Sequence, residues 1–347
     1  MTSIERLQTS GILRVGSEAR GFRYKHANGK RISQADLARI ESLRLPPAWK
    51  EVAISSAPSA RLQAVGKDAA GRWQYVYHEN HVRHRERKKF QRLVQFGESL
   101  PAMRRAAAQH FRLNGLPRER VMACILRILS LSFLRPGSQA YANENGSYGI
   151  ATLRPKHVAI KGDVLVFDFP GKSGVRQHRE VRDRRAARVV RELLKHPARE
   201  VFQYQEAAGN FVDIKRRHIN GYIKEIMGYR FSAKDFRTWA GTLVCACALA
   251  RIAAQDGEVK LGPKRKIALA MNETAAALGN TPAVCRSAYV CPEILTAFEK
   301  GRVIKRHFET VEKLTAYRGV RLHSAERALL SLLKGQSKLS RNAHGSN

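Results

Sequence analysis

Five residues spread along the chain have side chains that could take part in attack on a phosphate ester. They are a tyrosine, two arginines, a lysine and an asparagine: Tyr289, Arg135, Arg237, Lys172 and Asn280. A phenol has an ordinary pKa of about 10, so it becomes a nucleophile at neutral pH only in a positive field. Rigid guanidinium forks stabilise charge on phosphoryl oxygens, and a poor leaving group needs a general acid. Singly, each residue also fits an ordinary role, such as a helix cap or a solubilising turn lysine.

The segment ALGNTPAVCRSAYV predicts how the tyrosine is held. One helix ends at Gly279 and a new one starts at once, with Thr281 as its N-cap and Pro282 at its first position. Pro292 prevents much continuation, so Tyr289 lies near the end of a short helix. Asn280, next to Gly279, is also a candidate for the left-handed residue that ends the first helix.

The three cationic residues lie near predicted element boundaries. Arg135 ends an apolar helix predicted over residues 118–134, and a Pro-Gly pair then forces the chain out of the helix. Lys172 lies in FPGKSG, a turn between two predicted strands. Arg237 falls in the first turns of a helix predicted over residues 233–254, which a capping-box pattern opens.

The charge balance predicts a polyanionic partner. The chain has 347 residues with 63 Lys and Arg against 29 Asp and Glu, a net charge of +34. Such a field attracts nucleic acid and makes binding salt-dependent through counterion release. An anionic membrane surface is the alternative, but no strongly amphipathic basic terminal helix is evident. Apolar residues make up 44% of the chain, which disfavours a purely basic packing protein.

The cysteines and apolar runs bear on compartment and metal binding. The cysteines have neither CxxC nor zinc-like spacing, which favours buried reduced thiols and a cytoplasmic location: Cys124, Cys245, Cys247, Cys285 and Cys291. No secretory signal is predicted, and the run from Ala240 to Ala250 is too short to span a bilayer.

The periodicities predict an α+β protein of two domains. Residues 1–90 favour a β-rich domain, with strands over 51–55, 62–65 and 73–78 and a helix from Gln34 capped by Ser33. Residues 91–335 favour a mainly helical domain. Within it, the segments YGIATLR, HVAIKG, VLVFDF and VRQHREV predict a small antiparallel sheet near residues 148–181. The last predicted helix covers 324–334, and residues 336–347 are predicted to be disordered.

Taken together, the motifs resemble a known family. LRPGSQAYANENGSYG, FPGKSG, AKDFRTWAG and LGNTPAVCRSAY occur in this order, and GRWQYVYHENHVRHRERKKF precedes them. This set resembles the type IB DNA topoisomerases of the compact poxvirus and bacterial kind, over most of residues 20 to 325. The resemblance implies a small N-terminal lobe and a larger catalytic lobe that form a C-shaped clamp around duplex DNA.

The resemblance also implies a role for each candidate residue. Tyr289 is then the nucleophile, forming a 3′-phosphotyrosyl bond and releasing a 5′-hydroxyl. Arg135 and Arg237 contact the non-bridging oxygens, and Lys172 protonates the leaving 5′-oxygen. Asn280 stands where many relatives have histidine; it can donate a hydrogen bond but cannot titrate.

Further positions resemble DNA contacts of that family. They are residues of the N-terminal motif, one tyrosine after the first arginine and one lysine before the second: Gln74, Tyr75, Tyr77, Arg83, Tyr141 and Lys234. In a regular strand Gln74 faces away from its two tyrosine neighbours. The alternative is a β-strand whose aromatic residues only pack.

The function implied is relaxation of supercoiled double-stranded DNA by nicking, strand rotation and religation. Side chains supply the cations and the covalent bond conserves the phosphodiester energy, so no metal, ATP or other cofactor is needed. The chain has no GxxxxGK[ST] loop, in keeping with that. We expect a monomer in the cytoplasm, associated with the nucleoid, with no membrane and no obligatory protein partner.

Two alternatives share part of this pattern. A tyrosine recombinase uses similar chemistry, but KDFRTWAG has no histidine three residues before Arg237. A catalytically silent DNA-binding protein would account for the charge alone. It does not require Arg135, Lys172, Arg237 and Tyr289 to occur together.

Overall fold

The computed structural model describes residues 1–228, 230–255 and 261–342, and all of their side chains except those at 86, 87, 173 and 336–342. The chain divides into two compact units, Met1–Lys89 and Phe90–Asn347. The first is rich in strands and the second is larger and mainly helical, so the predicted α+β class is confirmed. The C-shaped clamp stays a prediction.

The N-terminal unit is an antiparallel sheet with two helices. The helices are α1 (Ser3–Ser10) and α2 (Gln34–Ser42). The sheet has the strand order β2-β1-β3-β4-β5, with these strands: β1 (Ile12–Ser17), β2 (Gly21–His26), β3 (Lys50–Ile54), β4 (Leu62–Lys67) and β5 (Trp73–Tyr77). Ser33 caps α2 as predicted, its hydroxyl accepting from the N–H of Asp36. A small core includes Ile12, Ile40 and Ile54. The sequence analysis did not predict α1, β1 or β2, of whose residues only Ile12 is buried.

The basic segment HVRHRERKKFQR is helical. It lies in α3 (Glu79–His110), a helix of 32 residues with Pro101 inside it. The division between the two units falls in this helix. Arg87, which belongs to the segment, lies outside the described side chains.

The second unit packs helices around α4 and α8. Its described elements, in chain order, are α4 (Arg118–Ser132), α5 (Gln139–Asn145), β6 (Val158–Lys161), β7 (Val164–Pro170), β8 (Arg176–Arg182), α6 (Arg184–Leu193), β9 (Gln203–Gln205), β10 (Phe211–Asp213), α7 (Arg216–Met227), α8 (Ala233–Ala254), α9 (Pro263–Leu278), α10 (Pro282–Ala288), α11 (Pro292–Glu299), α12 (Val311–Ala316) and α13 (Ser324–Asn342). Residues of α8 are buried almost all round, which makes it the central helix of the large core. The carboxylate of Asp235 accepts from the N–H and the hydroxyl of Ser232 and so closes the start of α8.

The small sheet has one strand fewer than predicted. It is antiparallel in the order β6-β7-β8. The segment YGIATLR forms a 3₁₀ turn at Ile150–Thr152 instead of a strand. The N–H groups of Ile150 and Ala151 donate to the carbonyls of Arg135 and Pro136 at 2.9 and 3.0 Å, so this backbone is satisfied outside the sheet.

Two other boundaries differ from the sequence prediction. Helix α4 ends at Ser132, and Phe133 takes the left-handed conformation with φ 56°, so Arg135 lies beyond the helix and does not end it. Helix α13 continues to Asn342, so residues 336–342 are helical where disorder was predicted. Residues 343–347 lie outside the described residues.

All five cysteines are buried and unpaired in disulfides. Among the described residues, no helix is long and apolar enough to cross a membrane, and no cluster of His, Cys, Asp or Glu could hold a metal ion.

Candidate active site

Helix α8 holds the backbone of Tyr289. Tyr289 follows the last residue of α10, and its N–H donates to the carbonyl of Cys285 at 2.9 Å. The hydroxyl of Thr242 donates to the Tyr289 carbonyl at 3.2 Å and accepts from the N–H of Cys291 at 3.1 Å. A Cβ on Gly241 would lie 3.0 Å from both Cβ and O of Tyr289. Glycine there lets the tyrosine backbone lie close against α8.

The guanidinium of Arg237 lies over the ring of Tyr289. Arg237 precedes Gly241 by one helical turn, so both are on the same face of α8. Its Cζ is 4.8 Å from the ring centroid, and the residue is only 3% exposed. Face-on placement of a cation over an aromatic ring is attractive.

Backbone carbonyls at the ends of two helices hold the guanidinium group of Arg237 in place. Nη1 donates to the carbonyl of Phe133, and Nη2 donates to the carbonyl of Leu278 at 2.9 Å. These carbonyls belong to the C-terminal ends of α4 and α9, where backbone acceptors lack helical partners and the helix dipole is negative. The left-handed Phe133 therefore helps to place the arginine.

The local charges favour an ionised tyrosine. Burial raises the pKa of Tyr289, but the positive charges of Arg237, Arg135 and Lys234 outweigh it and leave the pKa below its ordinary value of 10.0. Burial, followed by repulsion from Arg135, lowers the pKa of Arg237 to about 10. Arg237 thus stays protonated at neutral pH beside a phenol that is easier to ionise than usual.

Arg135 and Asn280 meet beside this pair. Nη2 of Arg135 donates to Oδ1 of Asn280, which is 145 residues away along the chain. Arg135 is half-buried on the extended segment after Phe133, where its carbonyl accepts from the N–H of Ile150. The side chain of Asn280 also lies against the thiol of Cys285, whose pKa is raised by burial.

Gly279, not Asn280, is the left-handed residue that ends α9. Its φ is 61°, its N–H donates to the carbonyl of Ala276, and the N–H of Asn280 donates to the carbonyl of Ala275. This is the Schellman arrangement, and it turns the Asn280 side chain toward Arg135 rather than leaving it as a cap.

Two buried donors at this place have no acceptor in the part of the chain that the structure describes. They are Nε of Arg237 and Nδ2 of Asn280. The orientation of the amide follows from Arg135, which requires an oxygen at Oδ1. The neighbouring Cys285 sulfur is only a weak acceptor. Buried donors without partners are costly, so the site suits an anion with several oxygens.

Lys172 is not brought into this cluster. It is exposed in the 3₁₀ turn Lys172–Gly174 between β7 and β8, and within the described residues it has no hydrogen bond or ion pair. The hairpin that carries Lys172 nevertheless lies near the cluster, because side chains of its strand β8 pack against Gly279, the neighbour of Asn280. A Cβ on Gly279 would lie 2.6 Å from Oε1 of Gln177 and 2.7 Å from Nη2 of Arg179.

Comparison with protein families shows which family the chain belongs to. A model of the eukaryotic DNA topoisomerase I catalytic core matches residues 79–314, and a model of the bacterial DNA topoisomerase IB N-terminal domain matches residues 21–68. The chain belongs to the type IB DNA topoisomerase family. The resemblance found in the sequence motifs is thereby confirmed.

Individual relatives carry the same family name. A DNA topoisomerase 1B of Acanthamoeba polyphaga mimivirus is 33% identical over 304 residues, covering 86% of this chain and 90% of the relative. A DNA topoisomerase 1B of Vaccinia virus is 26% identical over 258 residues, covering 74% and 77%. A Drosophila melanogaster DNA topoisomerase 1 is 31% identical over 130 residues, which is 12% of its length.

Within this type IB topoisomerase, the predicted N-terminal DNA contacts lie on and after edge strand β5. Tyr75 is 45% exposed and stacks on Tyr77 with ring centroids 6.3 Å apart, so these two share a face. The amide nitrogen of Gln74 donates to Asp68 at 2.8 Å, and its oxygen has no hydrogen bond among the described residues. Arg83 is ion-paired with Glu79 on exposed helix surface.

The other two predicted contacts lie in the second unit. Tyr141 is 50% exposed on α5. Lys234 is exposed in the first turn of α8, and its charge contributes to lowering the pKa of Tyr289.

Sequence reasoning missed several residues of the site. Arg179 is half-buried; burial lowers its pKa, and so does repulsion from Arg135, which places a third guanidinium near the cluster. The period of two in VRQHREV put Gln177 and Arg179 on one face of β8, but nothing local indicated that this face meets Gly279. Thr242 gave no signal, because a threonine inside an apolar helix is common.

Proposed function

We propose that the chain relaxes supercoiled duplex DNA by transient cleavage of one strand through Tyr289. The observation that carries this proposal is the Arg237 guanidinium over the Tyr289 ring, with the pKa of the phenol lowered and unpaired donors beside it. A phenol held this way has the positive field it needs to act as a nucleophile at neutral pH.

The chemical steps balance without an added reagent. Oη of Tyr289 loses its proton to solvent water and attacks the scissile phosphorus, and the bond from phosphorus to the 5′-oxygen breaks. Lys172 gives that oxygen a proton and regains one from solvent. The product is a 3′-phosphotyrosyl bond and a 5′-hydroxyl. Torsional strain in the DNA drives rotation of the free end, and attack by the 5′-hydroxyl reverses the step and releases Tyr289.

Arg237, Arg135 and Asn280 stabilise the charge on the non-bridging oxygens. The Nε of Arg237 and the Nδ2 of Asn280 supply two of the donors, and Arg135 contributes the N–H groups that Asn280 does not use. Since these side chains provide the cations and the covalent bond stores the energy, the reaction uses neither metal nor ATP. We infer a monomeric enzyme without a cofactor that acts on nucleoid DNA.

The direct test is relaxation of a negatively supercoiled plasmid in EDTA without ATP, with denaturing electrophoresis of end-labelled DNA to detect the adduct. We expect full relaxation and a protein bound to the 3′ end of the nicked strand. A 5′-linked adduct, or relaxation only with added Mg²⁺, would contradict the proposal. Cleavage restricted to paired specific sites, with strand exchange, would favour a recombinase instead.

Lys172 should matter only when the leaving group needs a proton. Lys172→Ala is expected to slow cleavage by about 10²–10⁴-fold, the usual contribution of a general acid. A substrate with sulfur at the bridging 5′ position should be cleaved at a near wild-type rate, because a thiolate leaves without protonation. Single-turnover cleavage of the two substrates measures the effect.

Lys161→Ala is the matched control, since Lys161 is an exposed lysine at the end of β6 in the same sheet. It should change neither rate. Equal loss on the oxygen and sulfur substrates in Lys172→Ala would assign Lys172 to phosphate binding rather than proton transfer.

Asn280 should act as a donor rather than only as a support for Arg135. Asn280→Ala is expected to slow cleavage by about 10²-fold, the cost of one oxyanion donor. Asn280→Asp keeps an oxygen for Arg135 but places a carboxylate beside the phosphate, so it should be at least as slow. Cleavage by the aspartate variant at the wild-type rate would leave Asn280 with a positioning role alone.

A further inference from the structure

A cavity of about 350 Å³ lies in the second unit. Its walls come from α3 and the two residues after it, α4, α6, α8, α12, the segments that flank α12, and α13. The four residues of the cluster described above, Arg135, Arg237, Asn280 and Tyr289, do not line it. The volume is in the range of small-molecule sites.

Aromatic rings stand among the aliphatic side chains of the cavity wall. Six rings contribute: Phe111, Phe133, Phe236, Trp239, Phe308 and Tyr317. A flat ring between such side chains gains from stacking and edge-to-face contacts in addition to burial. These six rings therefore favour a ligand with a planar aromatic body.

Trp239 supplies an unused polar group. It is 5% exposed, and its Nε1 has no acceptor in the described part of the chain. A Cβ on Gly97 would lie 2.4 Å from Cη2 of Trp239, so the six-membered edge of the indole packs on α3 and the nitrogen is turned away from that glycine. A buried indole N–H ordinarily has a partner.

Arginines outnumber carboxylates in the lining. Five line the cavity against a single carboxylate, Glu326: Arg104, Arg112, Arg127, Arg185 and Arg318. Arg104 pairs with Glu326, and Arg127 and Arg318 share Asp183 behind the wall. Arg112 and Arg185 are exposed and have no ion pair among the described residues. Burial, followed by repulsion from Arg127, lowers the pKa of Arg318, and the charge of Asp183 opposes this shift.

We propose that this cavity binds a planar aromatic anion, a carboxylate or a sulfonate, with its rings among the aromatic walls and its charge at Arg112 and Arg185. The positive charge at these two arginines, which no carboxylate among the described residues neutralises, favours an anion over a neutral ligand of the same shape. Phe133 lines the cavity, and its carbonyl holds Arg237, so the ligand would lie one residue from the catalytic apparatus. The proposal stands independently of the cleavage chemistry.

Fluorescence of Trp239 tests the site directly. The chain has three tryptophans, so the double variant Trp49→Phe/Trp73→Phe leaves Trp239 as the only one. The probe is 8-anilinonaphthalene-1-sulfonate, which absorbs where indole emits. We expect saturable energy transfer from Trp239 with one probe per chain, and far weaker transfer to the uncharged N-phenyl-1-naphthylamine, which has the same rings.

Two sets of variants locate the probe. In the same background, Ala108→Phe fills the cavity from α3 and should abolish the transfer. Arg112→Gln/Arg185→Gln should raise the Kd by roughly tenfold or more, the effect of losing charge-assisted hydrogen bonds. Arg188→Gln/Arg191→Gln removes the same charge from exposed positions of α6 outside the cavity and should leave the Kd unchanged.

Equal weakening by the two arginine pairs would mean that the sulfonate adsorbs to the basic surface, which would overturn the proposal. So would equal binding of the charged and uncharged probes. If Ala108→Phe does not fold, as judged by circular dichroism, the comparison of arginine pairs decides alone.

Discussion

Tyr289→Phe is expected to abolish DNA relaxation and adduct formation while folding and DNA binding persist. The hydroxyl oxygen is the only heavy atom removed, and the features that fix the residue are kept: its carbonyl bond to Thr242, its packing on Gly241 and the contact of its ring with Arg237. Loss of a nucleophile costs more than about 10⁴-fold in rate. Plasmid relaxation over an enzyme titration, with a filter-binding assay for DNA, measures both properties.

Tyr204→Phe is the matched control. Tyr204 is a half-buried tyrosine on β9 that is not part of the cluster of Tyr289, Arg237, Arg135 and Asn280, and its substitution should leave relaxation intact. Relaxation by Tyr289→Phe at a measurable rate would place the nucleophile elsewhere. Loss of DNA binding in that variant would point to misfolding instead.

Arg237→Lys is expected to slow cleavage by about 10³-fold even though it keeps the positive charge. Lysine is a point charge that cannot reach the carbonyls of Phe133 and Leu278 and still present a planar fork to phosphate. Loss of a preorganised donor alone costs about 10²–10³-fold, and the charge-assisted fork adds to this. Single-turnover cleavage of a duplex with one preferred site measures the rate.

The pH dependence separates two functions of Arg237. Its charge is the largest influence that lowers the pKa of Tyr289. In Arg237→Gln the pKa of the phenol should rise, so the limb where the cleavage rate increases with pH should move to higher pH. In Arg237→Lys this limb should move less, while the rate at its plateau remains low. An unshifted limb in Arg237→Gln would remove the arginine from activation of the tyrosine.

A buried arginine outside the site controls for stability. Arg120 is 6% exposed and bonds Glu192, so Arg120→Lys should lower thermal stability without a comparable loss of cleavage. If Arg120→Lys lost as much activity as Arg237→Lys at a temperature where both are folded, the effect at Arg237 would be structural.

Local interactions explain why much of the site's framework was predictable. Thr281 accepts from the N–H of Val284 and Pro282 occupies the first helical position, so α10 begins where the sequence predicts. Ser33 caps α2 in the same way, and at the start of α8 the carboxylate of Asp235 accepts from the N–H of Ser232. Caps and breakers act over three or four residues, which is why a single sequence reveals them.

The clearest failure occurs where distant backbone replaces a local partner. YGIATLR has the alternation of a strand, yet the N–H groups of Ile150 and Ala151 bond to the segment after α4. There tertiary contacts override a local preference worth only a fraction of the folding energy. The composition beyond residue 335 favours disorder, whereas α13 continues to Asn342.

The sequence by itself determined the charge, the class of fold, the order of the motifs and the family they belong to. These depend on residue types and on short-range spacing. The tertiary structure decided that Arg237 lies over the ring of Tyr289, that Arg135 pairs with Asn280, and that β8 reaches Gly279. Those contacts join residues 52 to 145 positions apart, and only the packing of α8, α9 and the small sheet into one core can bring them together.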